Sequence, residues 1–309
     1  MATVAPPRPL GAIRQRRGAG SARNWIGWLF LAPFGVVFLF ALVAPIGYAI
    51  YLSLFQRRLI GGTVFVGLGN YADALADPQL HGAVGRILLF FVIQVPLMLG
   101  LSLIAALALD SARLRWAPLY RITLFLPFAV PGVIAALMWG FLYGTDFGLV
   151  GNLNRLFGWA LPDPLSQQWV LGAMANISTW GFVGYNMLVM YSALRVVPAE
   201  LYESAAIDGA GPRQVIASIK LPALRPAFVI CLVFSVIGSF QLFNQPNVLR
   251  TLSPNTIATN FTPNMYAYNL AFSGQQYNYS AAIAIVMGVI TMIIAYVVQR
   301  VGIRDGGER

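Results

Sequence analysis

Six long apolar runs dominate this sequence and fix most of what it can become. A helix rises about 1.5 Å per residue, so about 20 apolar residues cross roughly 30 Å of bilayer hydrocarbon. The runs extend from about Trp25 to Leu54, Ile87 to Leu109, Ile122 to Tyr143, Trp169 to Leu194, Ala227 to Phe243 and Ala281 to Val301. The fifth is the shortest and the most interrupted by polar residues. Only 10% of the 309 residues are charged, where a soluble domain carries about 25%. Such a chain cannot coat a water-soluble globule, and it reads as an all-α integral membrane protein with six transmembrane helices. The domain plan is a cytoplasmic tail over residues 1–24, a transmembrane domain over 25–301 and a second cytoplasmic tail over 302–309. The first run follows an arginine-rich tail, as a signal peptide would. It is too long for a signal core and lacks a small-residue cleavage site directly after it, so it reads as an uncleaved span.

The net charge of +10 raises the question of nucleic acid. The cations lie between the apolar runs instead of clustering on one face, so membrane topology explains them and no nucleic-acid partner is expected. With both termini on one side, that side holds Arg8, Arg14, Arg16, Arg17, Arg23, Arg113, Arg115, Arg121, Arg195, Arg213, Lys220, Arg225, Arg300, Arg304 and Arg309. The opposite side holds Arg57, Arg58, Arg86, Arg155 and Arg250. The asymmetry places both termini in the cytoplasm. The outer segments, roughly 56–86, 144–168 and 244–280, are longer than simple turns require.

Several chemistries are excluded. Lys220, the sole lysine, sits between Ile219 and Leu221, so no phosphate-binding loop of the G-x-x-x-x-G-K type exists. One histidine (His81, read as a loop residue) and one cysteine (Cys231, inside an apolar run) allow neither a zinc motif nor an internal disulfide. All ten carboxylates fall outside the apolar runs, which leaves a proton-driven carrier without its relay. Uphill transport by this chain therefore needs energy from another polypeptide.

The 195–225 segment is the most informative. Pro198 suits a helix start, and Glu200 and Glu203 place negative charge at the positive dipole end. Leu201, Tyr202, Ala205 and Ala206 form an apolar stripe, and Gly209 suits a left-handed helix end. Ala210-Gly211-Pro212 restarts the chain, Val215, Ile216 and Ile219 give a second apolar face, and Leu221-Pro222 is expected to stop it. The result is a helix–turn–helix at the inner membrane face. An amphipathic hairpin lying on lipid is the alternative, but the first helix is acidic where lipid binding favours basic residues.

Glu203-Ser204-Ala205, then Gly209, Ile219 and Leu221-Pro222, resemble the EAA loop of permease subunits of bacterial ABC importers. The longer run Tyr202-Glu203-Ser204-Ala205-Ala206-Ile207-Asp208-Gly209-Ala210 is similar to the sugar-uptake, MalF-like branch. Phe65 to Tyr71 with Asp77-Pro78, Arg121 to Pro127 and on to Trp139, and Gly238 to Phe243 resemble other stretches of that branch. Ser204 departs from the middle Ala, and Leu252-Ser253-Pro254 stands where many sugar permeases carry Gly-Gly-Pro. The resemblance implies a type I ABC importer permease fold, with the loop over 198–222 contacting an ATPase. It implies as partners a second permease chain, two ATPase subunits and an external solute-binding protein, within membrane lipid. No cofactor is expected on this chain, with ATP and Mg²⁺ held by the ATPase subunits. Tyr202, Glu203, Ser204, Ala205, Ala206, Asp208, Gly209, Ile219, Leu221 and Pro222 are the coupling residues on this view. Glu203 pairs with a cation of the ATPase.

Solute is expected to meet polar side chains near the membrane midplane. Candidates are Asn176, Ser178, Trp180, Tyr185 and Asn186 on the fourth run and Ser235, Ser239, Gln241 and Asn244 on or after the fifth. Amides, hydroxyls and aromatic faces without charge suit a neutral sugar. Each of these residues could instead hydrogen-bond helix to helix. Tyr185 and Gln241 lie in stretches that resemble pore-lining segments of the family. Gln94, Pro127 and Pro131 read as packing and kink features. Glycerol-3-phosphate or a related phosphodiester is the rival cargo, which would want a mid-span cation. A lipid-processing membrane enzyme is the more distant alternative. It would need an acidic metal cluster, yet Glu200 and Asp208 fall on different helix faces.

Overall fold

The computed structural model describes residues 20–304 apart from residues 59, 112 and 113. Residues 1–19 and 305–309 of the two tails, with Arg8, Arg14, Arg16, Arg17, Arg113 and Arg309, lie outside the described residues. The chain divides into two units, residues 1–49 and 50–309.

In the first unit α1 (Gly20–Phe38) passes through a π turn (Leu39–Val43) into α2 (Ala44–Ser53), which runs on into the second. Pro45 stands just after that π turn. A proline ring clashes with the carbonyl four residues back in a regular helix, and a widened turn relieves the clash.

The second unit continues with a hairpin, β1 (Phe55–Arg58) antiparallel to β2 (Gly62–Phe65), with Phe55 opposite Phe65 and Arg58 opposite Gly62. Then follow α3 (Gly69–Ala76), α4 (Pro78–Asp110), α5 (Ala117–Phe125) and α6 (Gly132–Tyr143). After these come α7 (Leu149–Phe157), α8 (Val170–Leu194), α9 (Ala199–Ile207) and α10 (Pro212–Val215). The chain closes with α11 (Leu221–Phe240), α12 (Asn244–Leu249), α13 (Pro263–Phe272) and α14 (Tyr277–Arg304).

Among the described residues, four helical stretches are long and apolar enough to cross a membrane: Gly27–Ser53, Pro78–Asp110, Pro212–Leu249 and Tyr277–Gly302. The third sequence run is not one straight span. A 3₁₀ turn (Leu126–Ala129) separates α5 from α6, which bend by 98°. Pro127 and Pro131 remove two backbone donors within five residues, so the helix breaks there. The fourth run, α8, is 25 residues long but falls short in apolarity. Its Ser178, Thr179 and Asn186 are buried against protein, so this helix need not satisfy lipid around its whole circumference.

Other expectations are corrected. Leu221-Pro222 does not stop the helix: Pro222 lies in the first turn of α11, after a second π turn (Ile216–Lys220), and the helix runs through. The wide turn ahead of the proline is the same device as at Pro45. α4 starts nine residues earlier than its apolar run, because Asp77 Oδ1 accepts the Gln79 N–H at 2.8 Å and Pro78 needs no donor partner. His81 is therefore helical, with its Nε2 2.7 Å from the Leu75 carbonyl oxygen. The three outer segments hold β1 and β2 with α3, then α7, then α12 and α13.

The α4–α8 pair forms the spine of this unit. One apolar core gathers Ile87, Phe90, Met174, Ile177, Val236, Phe240, Leu249, Ile257, Met265 and Ile283. A second joins Val95, Leu99, Ala106, Met187, Met190, Leu194, Leu224 and Cys231, whose thiol is a buried small hydrophobe. At Gly184 on α8 the backbone of Leu124 and Phe125 approaches so closely that a Cβ would overlap it. Polar clamps fix the N-terminal end of α4. Arg86 donates from Nε to the Phe261 carbonyl (2.8 Å) and from Nη2 to that of Asn260 (2.7 Å), with its guanidinium 5.3 Å from the Phe261 ring centre. Arg86 is thus a structural brace on α4 and not a loop residue. Asp77 Oδ2 accepts from the Tyr266 (2.7 Å) and Tyr279 (2.9 Å) hydroxyls. Burial pushes the Asp77 carboxyl up, but these donors and the Gln79 N–H outweigh it and hold it below the usual carboxylate range.

Candidate transport pathway and coupling loop

A cavity of about 630 Å³ lies where α4, the broken α5–α6 span, α8, α11 and the turn into α12 converge. From α8 come Ser178, Phe182, Tyr185 and Asn186, and from α11 come Phe234, Ser235, Gly238 and Ser239. Gln241, Phe243, Asn244 and Gln245 enter because α11 ends there, with Gln241 at φ −92° and ψ 11°. The break at Pro127–Pro131 brings Phe128 and Gly132 to the wall, and α4 adds Phe90, Gln94 and Met98. Among the described residues, no charged side chain lines the cavity.

Polar groups in the wall are partly committed. Ser178 Oγ donates to Gln245 Oε1 at 3.0 Å, Gln94 Nε2 to Met98 Sδ at 3.1 Å, and Ser235 Oγ to the Cys231 carbonyl at 2.7 Å. Asn186 Nδ2 has only the weak thioether acceptor of Met98 at 3.4 Å. Ser239 is 3% exposed, and among the described residues its hydroxyl has no partner. A buried, unpaired hydroxyl costs about 1–3 kcal/mol and is free to meet a ligand. Tyr185 stacks on Phe128 with ring centres 4.9 Å apart, presenting a flat aromatic wall.

Of the sequence candidates, Tyr185, Asn186, Ser239, Gln241 and Asn244, with Ser178 and Ser235, share this cavity. Trp180 does not line it: its ring packs edge-on against Trp139 at 5.9 Å. Asn176 donates to the Tyr143 hydroxyl at 2.8 Å. Both face α6, because α8 turns about 100° per residue and Tyr185 lies on another side. Sequence reasoning treated Gln94 as packing and missed Gln245 and Phe128. An amide beside Asn244 was a usable signal for Gln245. Nothing local marks Phe128, which depends on the bend.

In the 195–225 loop, Pro198 caps α9 in extended conformation (φ −59°, ψ 140°) and Glu200 sits in the first turn. The left-handed end expected at Gly209 is present at φ +74°. Ala210 N–H donates to the Ala205 carbonyl (2.9 Å) and Gly209 N–H to that of Ala206 (3.1 Å), the paired bonds of a Schellman end. Tyr202 and Ala205 turn inward and are half-buried, while Leu201, Glu203, Ser204, Ala206, Ile207 and Asp208 are exposed. Ile207 is 86% and Val196 81% exposed. Ser204 Oγ donates to the Leu201 carbonyl (3.2 Å), so its change from Ala is accommodated locally. Ile219 is half-buried, and Leu221 and Pro222 are exposed. Burial and the Asp110 carboxylate push the Tyr202 phenol up, against Lys220 and Arg195.

Apolar helices too long for a soluble fold, an uncharged cavity between them and a short exposed helix define a membrane transport subunit. Residues 81–302 match the family described as binding-protein-dependent transport system inner membrane component, and the chain belongs to that family. It is 30% identical over 278 residues to the probable ABC transporter permease protein YurN of Bacillus subtilis, covering 87% of this chain and 93% of that protein. It is 29% identical over 280 residues to the lactose transport system permease protein LacF of Rhizobium radiobacter, covering 87% and 91%. The fold matches a chain of the bacterial alginate ABC transporter solved in complex with alginate pentasaccharide-bound periplasmic protein. The TM-score is 0.81 at 21% identity, over 93% of this chain and 96% of that one. The chain is a multi-pass membrane permease subunit of the type I ABC importer fold, and not an enzyme.

Proposed function

We propose that this chain forms half of the pathway of an ATP-driven importer for a neutral oligosaccharide or disaccharide. The observation that carries the reading is the cavity: amides, hydroxyls and aromatic rings with no charged side chain in its wall. Its size falls within the roughly 300–1,000 Å³ of small-molecule sites. Sugars offer many hydroxyls and flat apolar ring faces, which Gln241, Asn244, Ser239 and Asn186 on one hand and Tyr185 with Phe128 on the other suit. A glycerol-3-phosphate cargo is less well served. Arg155 Nη2 bonds Asn152 Oδ1 on α7 at 2.5 Å, and Arg250 follows α12 outside the cavity.

The partners on this reading are a second permease chain, two ATPase subunits holding ATP and Mg²⁺, and an external solute-binding protein. Exposed Ile207, Leu201 and Glu203 support α9 as the surface that meets the ATPase, with both termini cytoplasmic. Differential affinity of nucleotide for the two pathway states supplies the drive.

Purification in mild detergent with its chromosomal neighbours tests the reading. We expect an ATPase to co-purify, and hydrolysis to rise with a neutral oligosaccharide and its binding protein but not with glycerol-3-phosphate. Solute transport by this chain without any ATPase would overturn it.

A further inference from the structure

Asp110 closes α4 and Lys220 ends the π turn that leads into α11. Lys220 Nζ lies 2.5 Å from Asp110 Oδ2, and the two side chains are only 13% and 9% exposed. This is the one ion pair among the described residues. The same ammonium lies 5.7 Å from the ring centre of Tyr202, which belongs to α9 and whose hydroxyl is buried without a partner among the described residues. Three separate elements thus meet at one charge. Most of α9 faces outward, so this is a point at which a push on α9 reaches the spans directly.

The choice of residue is informative. Nineteen of the 20 cations are Arg, and the exception stands here. A guanidinium fixes one plane and a fork of donors, whereas an ammonium is a point charge with three rotatable donors that keeps its contact as its neighbours turn. The adjoining π turn is of the kind that recurs at functional sites in helices.

We propose that Lys220 is a positioning residue, a swivel that holds the Asp110 carboxylate and the Tyr202 ring together while α9 moves, and so carries that motion into α4 and α11. The proposal rests on the reading of α9 as the ATPase-contacting helix. A plain staple would hold the fold together equally well with Arg, and the two roles separate on motion, not on assembly.

The test uses the assembled permease–ATPase complex with Cys231→Ser and a reporter Gln241→Cys in the cavity wall. Two quantities are followed: ATP hydrolysis and the ATP-dependent change in maleimide labelling of the reporter. The double variant Asp110→Asn/Lys220→Met leaves no unpaired buried charge. We expect it to hydrolyse ATP while its labelling change falls about tenfold. Lys220→Arg, which keeps the pair, should lose part of the change. A full labelling change in either variant overturns the swivel, and Lys220→Arg carries the test alone if the neutral pair does not assemble. Glu203→Lys separates the two levels. If it still binds the ATPase normally, the assignment of α9 fails. If it loses the ATPase while the Lys220 variants signal normally, only the swivel fails.

Discussion

The coupling loop and the cavity are built in opposite ways. The loop is contiguous in sequence and exposed, and its shape is set by local backbone chemistry: a proline cap, two acids in the first turns and a left-handed glycine. The cavity draws its wall from five regions of the chain, carries no charge among the described residues and is shaped by a broken span. Changes in the loop should therefore disconnect the motor without altering what is recognised, and changes in the cavity should do the reverse.

The largest effect expected from that contrast is at Gly209. Among the described residues, no atom beyond its chain neighbours lies within 4 Å of where its Cβ would stand, so Gly209→Val acts through the φ of +74°. It should cost about 1–3 kcal/mol at the turn and uncouple ATP hydrolysis from transport, while Gly209→Asn recovers most of the loss. Normal transport stimulation in Gly209→Val, measured in proteoliposomes, would break the comparison.

A smaller change of opposite character is expected at Ser239. Ser239→Ala removes a buried unpaired hydroxyl, so thermal stability should hold or rise. The apparent KM for solute should increase about tenfold, the size of one lost hydrogen bond. Uptake assays beside melting curves read both signs, and a fall in stability with unchanged KM would return Ser239 to packing.

The smallest effect belongs to neither region. Asp77 has a depressed carboxyl, so its contribution is present above the ordinary value of about 4 and is lost as pH falls through the lower folded-state value. Melting of the purified protein should weaken on acidification in that window. Asp77→Asn should flatten the profile and leave coupling and recognition intact at neutral pH.

The same contrast explains what could be read from the sequence. Gly209 was legible because a helix end needs only neighbours a few residues away. The lack of charge in the cavity wall was legible because no charged residue falls midway along an apolar run. Trp180 was misplaced because its burial against Trp139 depends on the packing of α6 on α8. Phe128 was missed because the 98° bend decides which side chains of that span reach the wall. Pro222 was read as a stop because sequence rules assume a regular helix, and the π turn before it removes the clash on which that rule rests.

At Gly184 the bent span rests directly on the backbone of α8, one residue from Tyr185 and the aromatic wall it shares with Phe128. The seat of the bent span on α8 is thus set by an absent methyl group: any bulkier residue there would wedge the elbow of the kinked helix away from it. Selection for throughput can in this way act on an atom that never meets the cargo.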